Sequence, residues 1–183
     1  MSIKTLSDEK GKILLPIARA AISAALGQVH LADENAPWLM EKGACFVTLT
    51  QDRQLRGCIG TLEAHQALVK DIADNAFNAA FRDPRFAPLR ADELSRLDIH
   101  LSVLSPPVPM TFCDEADLLA QLRPGIDGLI LTAPGYRGTF LPSVWDSLPR
   151  AEEFLRHLKR KAGLPVDYWS AELQVQRYTT EAF

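Results

Sequence analysis

Apolar residues recur at helical spacing between Ser7 and Gly27, through Ile13, Ile17, Ala20, Ala21 and Ala24, and predict one amphipathic helix. Ser7 suits its N-cap, Asp8 and Glu9 suit the positive end of its dipole, and Gly27 suits its C-terminal stop. Pro16 falls inside this stretch, either as a kink or as the first turn of the true helix. The period then shortens to two. Residues 43–50 (GACFVTLT) and 54–62 (QLRGCIGTL) are β-rich and separated by Gln51-Asp52-Arg53, which predicts an antiparallel hairpin turning at Asp52. Helical spacing returns over 65–81 through Leu68, Ile72, Ala76 and Ala79-Ala80, until Asp83-Pro84-Arg85 stops it. In residues 97–105, Leu97, Ile99, Leu101 and Val103 alternate with Asp98, His100 and Ser102, as in a half-buried strand.

Pro106, Pro107 and Pro109 make a stiff extended segment, and the crossover between two sub-lobes is expected near 105–110. Beyond it the pattern predicts a short helix over 114–122, a turn at Gly125–Gly128 and a strand over Leu129–Thr132. A second turn at Gly135–Gly138, a strand over Thr139–Val144, a helix over 149–162 and a last strand over 171–180 follow. Helices interspersed with hairpin-like strands favour an α+β fold with mainly antiparallel sheets over a doubly wound parallel one.

Composition narrows the function classes. The 183 residues are 47% hydrophobic and 23% charged, ordinary for a globular chain, and suffice for one good core or two small lobes. A net charge of −3 argues against nucleic-acid binding by bulk electrostatics. The N-terminus MSIKTLSDEKGK lacks the apolar core of a signal peptide, and no apolar run approaches the roughly 18 residues of a membrane span. Cys45, Cys58 and Cys113 are far apart and odd in number, which fits a reducing cytoplasm and offers no zinc site. His30, His65, His100 and His157 have no ligand spacing, so neither a metal nor another cofactor is expected.

Candidate chemistry gathers in Leu55-Arg56-Gly57-Cys58-Ile59-Gly60, which places an arginine, a cysteine and two glycines in a strand-like run. Two glycines in a strand imply a sharp bend or a close approach to the backbone at Gly57 and Gly60. In a regular strand Arg56 and Cys58 share one face. Arg56 can hold a carboxylate or phosphate in its planar fork, or form a structural ion pair with an acid such as Asp83 or Asp127. Cys58 can act as a nucleophile or redox thiol with Arg56 as the activating cation, or pack as a small buried hydrophobe. Asp83, Arg85 and Phe86 can line a cleft floor beside Arg56, or form a self-contained loop with an Asx-turn. The apolar stretch Phe140–Trp145 can form a partner surface through Phe140 and Trp145, or serve as packing between sub-lobes.

Five segments together resemble a known family: Leu55–Leu62 (LRGCIGTL), Asn78–Leu89 (NAAFRDPRFAPL), Leu101–Met110 (LSVLSPPVPM), Pro124–Leu131 (PGIDGLIL) and Gly138–Pro149 (GTFLPSVWDSLP). Similarity continues through Phe154–Pro165, Trp169 and Tyr178-Thr179-Thr180, so that nearly the whole chain resembles the AmmeMemoRadiSam system protein A family. The resemblance implies a single family domain over 1–183, built of two closely associated, interleaved sub-lobes. It also implies Memo-type and radical S-adenosylmethionine proteins as partners, and no established activity.

The expectation is therefore a cytoplasmic accessory or binding protein. Its cleft, around Arg56, Cys58 and the Asp83–Phe86 loop, would hold a small anionic ligand or a partner segment. A thiol-dependent enzyme using Cys58 and a purely structural interaction module docking through Phe140 and Trp145 remain the alternatives.

Overall fold

Helix α1 (Ile3–Ala25) buries Leu14, Ile17, Ala18 and Ile22, one stripe at the three- and four-residue spacing of a helix face. In this computed structural model residues 3–183 are described, with side chains from residue 9 onward. The capping expected of Ser7 and Asp8 falls on side chains outside the described residues, and the helix already runs from Ile3. Pro16 sits inside α1 and neither starts nor ends it. Gly27 adopts φ 72°, which lets the Gln28 N–H reach the Ser23 carbonyl at 2.9 Å and close the helix end.

The chain divides into two units, one running to Leu104 and including Glu181–Phe183, the other spanning Ser105–Thr180. In the first unit, β1 (Lys42–Gly43) pairs with β4 (Gln66–Ala67), while β2 (Cys45–Gln51), β3 (Gln54–Gly60) and β5 (Leu97–Leu104) form the main antiparallel sheet. The short strand β10 (Thr180–Ala182) completes that sheet in the order β10-β5-β2-β3. The β2–β3 hairpin turns at Asp52 and Arg53, with φ of 52° and 64°, as a two-residue hairpin loop requires. Helix α2 (Leu68–Phe81) covers one face of this sheet and buries Leu68, Ile72, Ala76, Ala79 and Ala80.

A buried polar knot fixes α2 against the start of β2. The Asp71 carboxylate accepts from the Cys45 N–H at 2.9 Å and from Asn75 Nδ2 at 3.0 Å. Asn75 Nδ2 also reaches the Cys45 carbonyl at 3.2 Å and Thr61 Oγ1 at 2.9 Å. Burial, and then the nearby Asp71 carboxylate, push the Cys45 thiol far above its ordinary value, so this cysteine is a structural hydrophobe.

The second unit has its own antiparallel sheet, ordered β6-β9-β7-β8, from β6 (Val108–Pro109), β7 (Gly128–Ala133), β8 (Tyr136–Phe140) and β9 (Gln174–Tyr178). Helices α3 (Glu115–Gln121) and α4 (Ala151–Lys161) pack into its core through Leu118, Phe154, Leu155 and Leu158. Asp114 caps α3 by accepting from the Asp117 N–H at 2.8 Å. The fold is α+β.

Three expectations shift. The β7–β8 turn is Pro134-Gly135, with Gly135 at φ 78°, and Gly138 lies inside β8, where an added Cβ would come within 2.8 Å of Ala162. Residues Pro142–Asp146 form a 3-10 turn instead of a strand, because Pro142 begins the turn and lacks the N–H a ladder needs. The expected single strand over 171–180 is two strands, β9 pairing with β7 and β10 joining β5.

Candidate functional site

The register of the β2–β3 hairpin slips once. Leu49 faces Gly57 and Thr50 faces Leu55, so Arg56 is the extra residue of a β-bulge. The expectation of a regular strand is corrected here: the bulge sends Arg56 to one side and leaves the Cys58 side chain beside Thr48 on the sheet face opposite α2. Val47 and Leu49, on the other face, are fully buried.

Arg56 does not pair with Asp83 or Asp127. Its Nε and Nη2 donate to the two carboxylate oxygens of Glu93 at 2.8 and 3.1 Å, a bidentate fork with both side chains largely enclosed. Glu93 lies in the 3-10 turn Ala91–Arg96 and also accepts from the Arg90 N–H at 2.8 Å. Arg56 thereby holds its carboxyl below the usual carboxylate range, outweighing the cost of burial. Asp127 is paired instead with Arg123. The anion-binding role expected of Arg56 is thus met internally, by Glu93.

Both glycines are explained by close packing inside the first unit. A Cβ at Gly57 would lie 2.1 Å from the Ala79 carbonyl oxygen, so this glycine lets α2 sit directly on β3. A Cβ at Gly60 would enter the Phe46 ring, 2.2 Å from its nearest carbon. What approaches the backbone here is the protein's own helix and its own aromatic ring.

Cys58 lies where β3 meets the loop after α2. Its N–H donates to Asp83 Oδ2 at 2.9 Å, and its carbonyl accepts from Arg85 Nη2 at 3.2 Å. Its sulfur lies 3.3 Å from Thr48 Oγ1. Asp83 is buried and binds Arg85 twice, at 2.9 Å through Nε and 2.7 Å through Nη2. It also accepts from the Arg85 N–H at 3.1 Å, which is the expected Asx-turn. These bonds from Arg85, followed by the one from the Cys58 N–H, keep Asp83 ionised far below the usual carboxylate range despite burial. Arg85 is correspondingly raised, first by Asp83 and further by the Cys58 sulfur. Its side chain stays 54% exposed and stands over the half-buried Phe86 ring at 5.5 Å.

The cation beside Cys58 is therefore Arg85, not Arg56. Glu93 and Thr48 escaped the sequence reading: Glu93 is 37 positions from Arg56, and its only local signal was an acidic residue in the first turn after Arg90. Thr48 is opposite Cys58 on one side and opposite His100 on the other, so Cys58, Thr48 and His100 form one row across β3, β2 and β5. Among the described residues no three His, Cys, Asp or Glu side chains are placed to hold a metal ion.

The partner surface expected at Phe140 and Trp145 is corrected. Trp145 is 3% exposed, stacked on Phe154 with ring centroids 3.8 Å apart, and donates its indole N–H to the Asp127 carbonyl at 2.7 Å. Phe140 meets the other side of Phe154 edge-on at 5.2 Å. Trp145 belongs to the core of the second unit, because a Pro-Ser-Val-Trp turn folds the indole inward, and the partly buried Phe140 packs against that core. On α4, Lys159 is fully buried, paired with Glu115 at 2.9 Å and set over the Trp169 ring.

The model of the AMMECR1 family matches residues 15–183, which takes in both units from α1 to β10. The chain belongs to the AMMECR1 family. Among similar relatives, a protein of Methanothermobacter thermautotrophicus is 38% identical over 100% of this chain and 98% of its own. Protein MJ0810 of Methanocaldococcus jannaschii is 36% identical over 99% of this chain and 92% of its own. The crystal structure of the uncharacterised protein PH0010 from Pyrococcus horikoshii superposes with a TM-score of 0.79 at 34% identity, covering 95% of this chain and 90% of that one. Among the described residues no helix is long and apolar enough to cross a membrane.

Proposed function

We propose that this AMMECR1-family chain is a binding protein that receives an anionic group, from a small ligand or from a partner segment, beside Cys58 and Arg85. The observation that supports this reading most is the division of labour between the two arginines. Arg56 has both carboxylate-facing nitrogens committed to an enclosed Glu93. Arg85 is anchored along one edge by buried Asp83 and by the Cys58 carbonyl while more than half of its side chain stays exposed. A guanidinium fixed in this way loses little side-chain entropy on meeting a carboxylate or phosphate oxygen. The Cys58 thiol and Thr48 hydroxyl beside it add polar contacts to the same spot.

The resemblance to the AmmeMemoRadiSam system protein A family supports a Memo-type or radical S-adenosylmethionine protein as the partner. In that arrangement a partner carboxylate docks on Arg85, and the chain works as the accessory subunit. The experiment is a titration of isotope-labelled protein with sodium phosphate and, separately, sodium acetate at constant ionic strength. The Arg85 Nε–H and Cys58 amide resonances shift saturably with at least one of the two anions, and Arg85→Gln removes the response. Shifts that track ionic strength alone, or a response unchanged in Arg85→Gln, overturn the reading.

A further inference from the structure

Within the second unit, α3 and α4 wall a cavity of about 690 Å³, and Val166 and Asp167, beyond α4, complete its lining. That volume falls among small-molecule sites, which span about 300–1,000 Å³. The two walls are fixed to each other. Leu118 of α3 and Phe154, Leu155 and Leu158 of α4 are fully buried in one core. The fully buried Lys159 then ties α4 to Glu115 of α3 at 2.9 Å. A site held in this way loses little freedom when it is filled.

The charges around the cavity do not balance. Of its acids, Glu115 is committed to Lys159, and Glu152 stands 3.9 Å from Arg150. Arg156 and Arg160 line the same cavity from α4, one helical turn apart, about 6 Å along the axis. Among the described residues neither guanidinium has an ion-pair or hydrogen-bond partner. Asp167 is the one acid of the lining without a partner among the described residues. Two unpaired cations therefore share the cavity with one unpaired carboxylate. Like charges at this helical spacing repel each other, and an anion between them relieves the repulsion. Leu119 is half-buried and Val166 is 40% exposed, so aliphatic surface lines the cavity as well.

The kind of anion follows from the number of acceptors. A carboxylate has two oxygens, which a single guanidinium fork engages. A phosphate monoester carries up to two negative charges and three free oxygens, enough for both forks. Inorganic phosphate is far smaller than the cavity. The Asp167 carboxylate, an acceptor only, suits a hydroxyl of the same molecule, and Leu119 and Val166 suit its carbon skeleton. We infer that this cavity binds a small phosphate monoester of a hydroxylated compound, a sugar or polyol phosphate. Arg156 and Arg160 hold the phosphate, and Asp167 accepts from a hydroxyl. The site belongs to the second unit and the Cys58–Arg85 cluster to the first, and neither proposal depends on the other.

The test is a titration of isotope-labelled protein with glucose 6-phosphate, ribose 5-phosphate and glycerol 3-phosphate, each at constant ionic strength. Sodium phosphate, glucose and a glutamate hexapeptide are titrated for comparison. At least one ester shifts the Arg156 and Arg160 Nε–H resonances saturably, with affinity on the order of tenfold above that of sodium phosphate. Glucose leaves both resonances in place. Arg156→Gln and Arg160→Gln each weaken ester binding by about tenfold, and Asp167→Asn narrows its advantage over sodium phosphate. All three side chains are exposed, and the variants melt with the parent. The inference is overturned if no ester shifts these resonances at about 20 mM, or if the Arg156→Gln, Arg160→Gln double variant responds as the parent does. Sodium phosphate binding as tightly as every ester overturns it too, as an adventitious ion only. So does tighter binding of the hexapeptide, which would make the groove a protein-docking surface.

Discussion

Arg56, the extra residue of the β3 bulge, grips the Glu93 carboxylate with two hydrogen bonds of 2.8 and 3.1 Å. That fork ties the hairpin to the 3-10 turn that leads into β5. Arg56 Nη1 is buried in the process and has no hydrogen-bond partner among the described residues, so the pair is enclosed more tightly than it is satisfied. Arg56→Gln should lower stability by about 2–3 kcal/mol, less than for a fully buried pair because both side chains retain some contact with water. Urea unfolding of the single and double variants with Glu93→Gln measures the coupling, and additive losses would deny it.

Acid should unfold the first unit through two carboxyls. Glu93 and Asp83 both titrate lower in the folded chain than unfolded, the first held chiefly by Arg56 and the second by Arg85. Their stabilisation is therefore complete above the ordinary carboxylate range, near pH 4, and is lost as pH falls from there through the folded values. Asp83→Asn should be less stable than the parent at pH 7 and should also show a shallower loss between about pH 4.5 and 2. Parallel acid limbs in urea midpoints would rule out the Asp83 contribution.

The two glycines of the bulged strand should differ in tolerance. Gly57→Ala forces a methyl group against the backbone oxygen of Ala79, which cannot move without shifting α2, and should cost about 3 kcal/mol. Gly60→Ala first meets the Phe46 ring, and the companion change Phe46→Leu should restore most of its loss. Thermal melts of the three variants separate backbone from side-chain crowding.

Trp145→Ala should act on stability first. The indole is stacked on Phe154 and hydrogen-bonded to the Asp127 carbonyl, so its removal opens a cavity and leaves that carbonyl short of a donor, at about 4 kcal/mol. Calorimetry of the variant shows this as a lowered unfolding temperature. An unchanged melt would return Trp145 to the surface role.

Elements whose physics is local were legible in the sequence. The β-rich run 43–50 and the alternation in 97–105 marked β2 and β5, and the Asx-turn, one of two readings of the proline-bracketed Asp83, is present. The bulge was not legible, because one inserted residue leaves the strand's composition unchanged while reversing which face Leu55 takes. The partner of Arg56 was likewise hidden: several acids lie within reach of an unfolded chain, and only the fold selects Glu93 over Asp83 and Asp127. The LRGCIG segment singled out Cys58 and its flanking glycines, where the bulge and the close approach of α2 are found. It assigned the cation to the wrong arginine, since Arg85 comes to Cys58 only through the hydrogen bonds of Asp83.

The Cys58–Arg85 site is tested most directly by the charge preference of the Cys58 thiol in a Cys113→Ser background, where Cys45 is buried. Reaction rates with a dianionic aromatic disulfide and with neutral iodoacetamide are compared near neutral pH for the parent and for Arg85→Gln. The account predicts that Cys58 reacts in the folded protein and that Arg85→Gln slows the anionic reagent several-fold more than the neutral one, by the order expected for one exposed charge. A Cys58 that reacts only on unfolding, or a ratio of the two rates that Arg85→Gln leaves unchanged, would contradict it.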